Sequence, residues 1–293
     1  MANLKTEDGV SIYYEHHLPE NGGGPADVAD SASKPTVIFS CAYCTTHENW
    51  RGQVEPLVAA GHPVVLWDLR GHGNSGSPEG PDDYSIEWVV ADLYAVAEAT
   101  TPGQPFVAAG LSFGGLASLH FAVRHPDRVA ALALIDAGPG FKNPEAAAGW
   151  AAQVERTANF LETRGLKDFV EGRAGTTCIG AKSELSAARA AAAAICAQSV
   201  PGLARFGREV SGLAPSVIDD LASLDMPALV VVGENDKPFL RAAEVMAAKL
   251  PRSHHVVIAG AGHIVNIEEA EIFNREMLDF LSTLTEVGSE AGA

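Results

Sequence analysis

The sequence lacks any apolar run long enough to cross a membrane, which takes about 18 consecutive apolar residues. It is also poor in positive charge, because 20 Lys and Arg stand against 37 Asp and Glu and give a formal net charge of −17. Nucleic acids and acidic membrane surfaces bind basic faces, so the composition argues against both as partners. The first residues lack the charged segment and apolar stretch of a secretion signal, and we therefore expect a cytoplasmic protein.

Cysteine is scarce as well, with four residues in the chain. Cys41 and Cys44 form a C-x-x-C pair, which raises the question of a metal or redox site. A zinc site would need a second pair, and Cys178 and Cys196 are too far apart in sequence to resemble one. A redox pair would be expected at a helix N-terminus. We therefore expect reduced cysteines near the end of a strand.

The hydrophobic residues, 47% of the chain, are arranged in short continuous runs. Such runs are typical of strands buried on both faces of a parallel sheet, and segments with helical spacing separate them. This alternation predicts an α/β fold with a doubly wound, mostly parallel sheet, preceded by a hairpin arm at residues 10–16. The predicted strands cover residues 36–39, 63–67, 105–110, 129–135, 227–232 and 254–258.

Two stretches depart from this alternation. Residues 20–35 are rich in Gly, Ala, Ser, Asp and Pro, and they predict a mobile loop. Residues 141–219 hold Ala-rich helical segments broken by Gly and Pro, which predicts an all-helical insertion between two strands. We therefore divide the chain into an α/β core, residues 1–140 and 220–293, and a helical cap, residues 141–219.

One serine stands at a predicted junction of strand and helix. Residues 110–114, Gly-Leu-Ser-Phe-Gly, have the pattern G-x-S-x-G around Ser112. In such a turn the residues two before and two after the serine nearly touch, so both are glycine and the hydroxyl is raised above the sheet. Backbone N–H groups of the new helix point to the same place, where they can stabilise an oxyanion.

A serine hydroxyl needs a base and an orienting carboxylate to act as a nucleophile. The predicted base is His263, in a Gly-rich loop between the last strand and the last helix. The predicted carboxylate is Asp236, because its loop lies beside the histidine loop in a doubly wound sheet. Asp136, at the end of the strand before the insertion, and Glu234, in the same turn as Asp236, are the alternative acids.

With these motifs the chain resembles α/β-hydrolases of the esterase, lactonase and C–C hydrolase type over nearly its whole length. The resemblance rests on GLSFGG, GENDKP and GAGH, which contain Ser112, Asp236 and His263, and on DLRGHGNS at residues 68–75. It implies that segment 141–219 is a cap that covers the active site and sets substrate choice. It also implies that the DLRGHGNS motif is scaffold that ties loops together, through Asp68, Arg70, Gly71 and Gly73.

The sequence departs from the family after the first core strand, where relatives usually carry His-Gly. Counted back from Trp50, Cys41-Ala42 takes that place, and Tyr43 falls on the oxyanion position. We predict that the backbone N–H groups of Tyr43 and Phe113 form the oxyanion hole. We also hypothesise that the Tyr43 side chain contacts the substrate.

The resemblance implies a serine hydrolase in which Ser112 attacks a carbonyl, His263 accepts its proton, and water cleaves the acyl-enzyme. This chemistry requires no metal and no organic cofactor. The expected partner is a small to medium, largely apolar carboxylic ester. A lactonase, a C–C hydrolase of diketones and a non-catalytic small-molecule receptor of the same fold are the alternatives. Four cap aromatics are expected in the core of the cap rather than in the pocket wall: Trp150, Phe160, Phe169 and Phe206.

Overall fold

The computed structural model of the protein describes residues 1–20 and 34–290, with side chains for all of these except 285–290. Most of the predicted loop at residues 20–35 therefore lies outside the described residues. Eight strands are present in the described part: β1 (Ala2–Lys5), β2 (Ser11–His17), β3 (Val37–Ser40), β4 (Val64–Trp67), β5 (Phe106–Leu111), β6 (Val129–Ile135), β7 (Ala228–Gly233) and β8 (Ser253–Ile258).

These strands form one sheet in the order β1-β2-β4-β3-β5-β6-β7-β8. The hairpin of β1 and β2 pairs antiparallel with β4, and the remaining neighbours are parallel. The predicted α/β fold with a mostly parallel sheet is thus confirmed, and each of the six predicted core strands agrees with the structure to within one residue at both ends.

One feature of the predicted strands is wrong. The run at residues 254–258 does not form a strand buried on both faces, because β8 lies at the edge of the sheet and only its last residue, Ile258, is buried. Val257, for example, is 49% exposed. An edge strand has a neighbour on one side only, and its outer residues remain in contact with water.

The helices are α1 (Arg51–Ala59), α2 (Ile86–Thr100), α3 (Phe113–Arg124), α4 (Pro144–Glu171), α5 (Thr176–Ile179), α6 (Ser186–Cys196), α7 (Val200–Phe206), α8 (Lys237–Lys249), α9 (Val265–Glu268) and α10 (Ala270–Glu290). Helices α1 and α10 pack on one face of the sheet, where Leu57 and Phe273 are fully buried. Helices α2, α3 and α8 cover the other face with Val89, Leu119 and Met246. The sheet is therefore covered on both faces, as a doubly wound fold requires.

Residues 141–219 are all described, and they contain helices and turns but no strand. Helix α4 starts at an Asn143 cap with Pro144 in its first turn, and it breaks at Gly165, where φ is 80°. Helix α6 buries Ala188, Ala191 and Ile195, which share one face at a spacing of three and four residues. None of the helices in the described part of the chain combines the length and apolarity needed to cross a membrane.

Candidate active site

The loops that follow β3, β5, β6, β7 and β8 meet at the carboxyl edge of the sheet, where open α/β folds bind ligands. They carry Tyr43, Ser112, Asp136, Asp236 and His263, in that order. A cavity of about 470 Å³ lies at this edge, and all of these residues except Asp136 line it. The fold thus brings the predicted nucleophile, base, acid and oxyanion residue to one place, although they are far apart in sequence.

Ser112 occupies a strained turn between β5 and α3, with φ of 53° and ψ of −114°. The backbone holds it there, because the Ser112 N–H donates to the Ile135 carbonyl oxygen at 2.8 Å. The turn also requires glycine on either side. A Cβ at Gly110 would lie 2.2 Å from the Gly114 carbonyl, and a Cβ at Gly114 would lie 2.3 Å from the Ser40 carbonyl oxygen.

The Ser112 hydroxyl makes no hydrogen bond to any residue that the structure describes. Ser112 and His263 line the same cavity. Catalytic hydrogen bonds are often long without substrate and tighten when substrate binds. The hydroxyl is therefore free to meet a ligand.

His263 is paired with Asp236. The His263 Nδ1 lies 2.7 Å from the Asp236 Oδ2, and the two side chains are 13% and 4% exposed. A carboxylate only accepts hydrogen bonds, so Nδ1 carries the hydrogen and Nε2 is left as the acceptor. The ring of Phe239 lies against the imidazole with centroids 4.7 Å apart. The imidazole is thus oriented by a hydrogen bond and by packing.

Backbone hydrogen bonds join the loop of Asp236 to the loop of His263. The Asn235 N–H donates to the Ala261 carbonyl oxygen at 2.8 Å. Glu234, the weaker alternative acid, accepts the Gly260 N–H through Oε2 at 3.0 Å and does not bind the imidazole. Glu234 therefore helps to hold the two loops together.

Glu268 is a residue of the site that the sequence analysis missed. It is buried in α9, and its carboxylate accepts the N–H groups of Gly262 at 3.0 Å and Ile264 at 3.4 Å, on either side of His263. The sequence does place an acidic residue about one helical turn after the Gly-rich loop. That pattern does not distinguish a buried acid that binds the loop from an exposed one.

Asp136 is fully buried, and its oxygens accept the N–H groups of Gly233 at 2.8 Å and Val265 at 3.3 Å. Its φ of 45° turns the chain sharply after β6. Burial raises the pKa of Asp136 well above its usual range, and the neighbouring Asp236 carboxylate raises it further. Asp136 therefore contacts the loops on both sides of the His263–Asp236 pair.

The predicted oxyanion donors also lie at the cavity. The Phe113 N–H is the first of α3 and has no acceptor within its helix. The Tyr43 N–H makes no hydrogen bond to a described residue. The next N–H in that loop, from Cys44, donates to the His72 Nε2 at 3.1 Å. Phe113, Tyr43 and Ser112 all line the cavity, so the two residues with open backbone donors border the same space as the serine.

The DLRGHGNS motif makes the loop contacts that the resemblance implies. Asp68 accepts the N–H groups of His47 at 2.8 Å and Asn74 at 2.9 Å. Arg70 is fully buried and forms two hydrogen bonds of 2.7 Å to the Asp92 carboxylate. A bidentate pair of this kind fixes geometry as well as charge. Neither Asp68 nor Arg70 is among the described residues that line the cavity.

A cluster outside the cavity has the composition of a metal site. The ligand atoms of Glu15, His47 and Glu48 lie within 4.8 Å of one another. The Arg51 guanidinium already binds it, donating to Glu15 at 2.6 Å and to Glu48 at 2.5 Å. Burial alone would raise the pKa of Glu15, but hydrogen bonds from Arg51 and Tyr13 outweigh burial and lower it to about 2. The cluster is therefore an ion-pair network.

The four cysteines are free thiols. Cys41 and Cys44 lie in the loop after β3, and burial raises the pKa of both thiols well above the usual range. A thiol with a raised pKa is a poor nucleophile and a poor metal ligand. The Cys41 thiol donates instead to the Trp67 carbonyl oxygen at 3.1 Å.

The cap aromatics divide into three environments. Phe206 is fully buried, in agreement with the prediction, whereas Phe160 is 37% exposed. The prediction of a cap-core position is wrong for Trp150, which lines the cavity, whereas Phe169 is buried in a core cluster as predicted and also borders the cavity. Both residues lie on α4, and one side of this helix forms part of the cavity wall.

A family model described as alpha/beta hydrolase fold matches residues 35–270. This is most of the chain, and the protein therefore belongs to the alpha/beta hydrolase fold family.

Individual relatives are more distant. The chain is 24% identical over 258 residues to Protein PHYLLO, chloroplastic, of Arabidopsis thaliana, a match that covers 83% of this chain but only 15% of that protein. It is 29% identical over 288 residues to the protein named "Putative carbamate hydrolase RutD" of Variovorax paradoxus (strain S110), covering 96% of this chain and 100% of that one. A thermophilic esterase from Thermogutta terrifontis has a similar structure, with a TM-score of 0.81, 24% identity, and coverage of 97% of this chain and 100% of that chain.

Proposed function

We propose that this member of the alpha/beta hydrolase fold family is a serine hydrolase that cleaves a small to medium, largely apolar carboxylic ester through an acyl-enzyme. The observation that carries the proposal is the 2.7 Å contact between His263 and Asp236 at the wall of a cavity that Ser112 also lines. A nucleophile, a base and an orienting acid at one cavity are the constellation that acyl transfer needs.

In the proposed mechanism the Ser112 Oγ attacks the ester carbonyl, and its proton passes to the Nε2 of His263. Asp236 holds the Nδ1–H and stabilises the imidazolium that forms. The oxyanion accepts hydrogen bonds from the N–H groups of Tyr43 and Phe113. His263 then returns the proton to the leaving alcohol, and a water molecule, deprotonated by His263, cleaves the acyl-enzyme and regenerates Ser112.

The cavity supports the proposed substrate class. Its volume of about 470 Å³ lies in the range of small-molecule sites, and its wall is mostly apolar, with Trp150, Phe169 and Phe239 among the lining residues. The structural neighbour from Thermogutta terrifontis is an esterase, and the relative from Variovorax paradoxus is named for a carbamate, whose carbonyl is open to the same attack. We therefore propose a small-molecule ester as the partner of the site.

The test is a panel of nitrophenyl esters with acyl chains from two to eight carbons. We expect the wild type to hydrolyse the short and medium esters, and Ser112→Ala to lower kcat/KM at least about 10³-fold because the nucleophile is lost. Ser223→Ala, an exposed serine outside the cavity, is the matched control and should hydrolyse like the wild type. Folded protein without esterase activity, or equal activity in Ser112→Ala, would contradict the proposal.

A further inference from the structure

Asp136 is a fully buried carboxyl group that the proposed mechanism does not use. It follows β6, and its N–H donates to the Val231 carbonyl oxygen of the neighbouring strand β7 at 2.9 Å. Asp236 comes three residues after the end of β7, and its carboxyl group lies within hydrogen-bond reach of the Asp136 carboxyl. The Asp236 side chain is only 4% exposed, so the two acids meet where little water reaches them.

Two carboxyl groups in contact cannot both be ionised without a large cost in free energy. Like charges at this distance repel each other, and burial removes the water that would screen them. A nearby cation could offset the repulsion, but Asp136 forms no ion pair with any Lys, Arg or His that the structure describes. Two acids in such an arrangement are most stable when they hold one proton between them.

The other ionisable side chains near the two acids have partners of their own. On the elements that contact Asp136 they are Glu234 in the turn after β7, His263 in the loop after β8 and Glu268 in α9. Glu234 and Glu268 accept backbone N–H groups of the loop that carries His263. The His263 Nδ1 binds Asp236. The hydrogen-bond partner that remains for the Asp136 carboxyl, besides backbone N–H groups, is therefore Asp236.

The surroundings of the two acids favour Asp136 as the one that holds the proton. The Asp236 Oδ2 accepts from His263 at 2.7 Å, which is the role of an ionised carboxylate. Burial raises the pKa of Asp136 well above its usual range, and the Asp236 charge raises it further. The Asp136 Oδ1 accepts the Gly233 N–H at 2.8 Å, whereas the Val265 N–H lies 3.3 Å from Oδ2. The shorter bond agrees with a carbonyl oxygen at Oδ1 and a hydroxyl at Oδ2.

We propose that Asp136 is a neutral carboxylic acid whose O–H donates a hydrogen bond to the Asp236 carboxylate and so positions Asp236 against His263. Asp136 is a positioning residue, because it acts on His263 through Asp236 and does not touch the reacting atoms. A hydrogen bond to Asp236 also disperses part of its negative charge, which weakens its attraction for a proton on His263. The positioning role rests on the proposed function, whereas the proton on Asp136 does not.

The proton on Asp136 is tested by NMR of protein labelled with carbon-13 at the aspartate carboxyl groups, a measurement that needs no catalysis. The chemical shift of a carboxyl carbon distinguishes the acid from the carboxylate. We expect one aspartate to remain protonated at pH 8, and its resonance to be absent in Asp136→Asn. The matched control is Asp225→Asn, at an exposed aspartate, which should keep the resonance. A spectrum at pH 8 in which every aspartate is ionised would overturn the proposal, even if the protein hydrolyses esters.

The positioning role is tested by the pH dependence of kcat/KM for nitrophenyl esters in Asp136→Asn and Asp136→Ala. An asparagine amide can still donate to Asp236, whereas alanine cannot. The acid limb of the profile reports protonation of the catalytic base in the free enzyme. We expect the limb to stay within about 0.3 pH unit of the wild type in Asp136→Asn, and to move up by about 0.5–1 pH unit in Asp136→Ala because Asp236 then carries its full charge beside His263.

A residue that only holds loops together would lower stability or kcat without moving this limb. Folded Asp136→Ala with an unmoved acid limb would therefore overturn the positioning role. If Asp136→Ala does not fold, Asp136→Asn decides, and an acid limb displaced by about 0.5 pH unit or more in that variant would overturn the role. A protonated Asp136 in a protein without Ser112-dependent hydrolysis would uphold the shared proton and overturn the proposed function.

Discussion

At the scale of single residues, two neighbouring carboxylates of the site have different surroundings. The Asp236 Oδ2 is 2.7 Å from the His263 Nδ1, whereas both oxygens of Asp136 accept backbone N–H groups. Asp136 is fully buried and its pKa is raised, first by burial and then by Asp236. An acid that orients an imidazole and an acid that fixes loops should respond differently to the same substitution.

We predict that Asp236→Asn lowers kcat about 10³- to 10⁴-fold, because the amide no longer selects the Nδ1–H form of His263. Asp136→Asn should mainly lower the free energy of unfolding, by about 1–3 kcal/mol. The two backbone N–H groups donate to different oxygens of Asp136, and an asparagine amide has only one oxygen. Ester kinetics on folded protein and urea denaturation measure the two effects. The account would be wrong if Asp136→Asn abolished kcat while Asp236→Asn left it unchanged.

The sequence could indicate Ser112 because the G-x-S-x-G turn is a local pattern, and the structure shows the steric reason for both glycines. The pairing of His263 with Asp236 rather than with Asp136 followed from loop order along the sheet, and the observed hydrogen bond agrees with it. The contact of Gly207 with Tyr43 could not be predicted. It arises where the cap meets the loop after β3, and no sequence pattern records it.

At the scale of elements, His72 joins the loop after β4 to the loop after β3. Its Nε2 accepts the Cys44 N–H at 3.1 Å, next to the proposed oxyanion donor Tyr43. Its ring packs edge-on against Phe206 with centroids 4.5 Å apart. Burial lowers the pKa of His72 to about 4, so the ring is neutral and can accept at neutral pH.

This contact predicts a dependence of stability on pH. An unfolded chain protonates its histidines near pH 6.5, whereas folded His72 does so near pH 4. Between these values the unfolded state binds more protons than the folded state. The contribution of neutral His72 to the free energy of unfolding therefore decreases as pH falls, by up to about 1.4 kcal/mol per pH unit. We expect the free energy of unfolding of the wild type, measured relative to His72→Gln, to fall between pH 6.5 and 4 in urea titrations. A difference that is constant with pH would contradict this reading.

The elements themselves were largely predictable, because a strand buried on both faces produces a continuous apolar run. The exposure of β8 was not, since its run resembles the central ones and only the strand order places it at the edge. The position of Trp150 in the cavity wall was also missed. Helical spacing identifies an apolar side of α4 but does not tell whether protein or a cavity faces it.

At the scale of the whole molecule, the cap is tied to the loops of the core. The Gln198 Nε2 donates to the Cys44 carbonyl oxygen at 3.0 Å, and the Asn49 Nδ2 donates to the Cys178 carbonyl oxygen at 2.7 Å. Lys182 donates to the Glu268 carbonyl oxygen at 3.1 Å, close to the His263 loop. The elements that would set substrate choice are thus attached to those that would carry the chemistry.

The central claim is that this assembly makes the Ser112 hydroxyl nucleophilic. The most direct measurement is covalent labelling with an organophosphorus reagent, followed by intact mass and peptide mapping. The account predicts one adduct, located on Ser112, absent in Ser112→Ala and formed far more slowly in His263→Ala. Ser223→Ala should label like the wild type. Folded protein that never acquires the adduct, or an adduct that persists in Ser112→Ala, would contradict it.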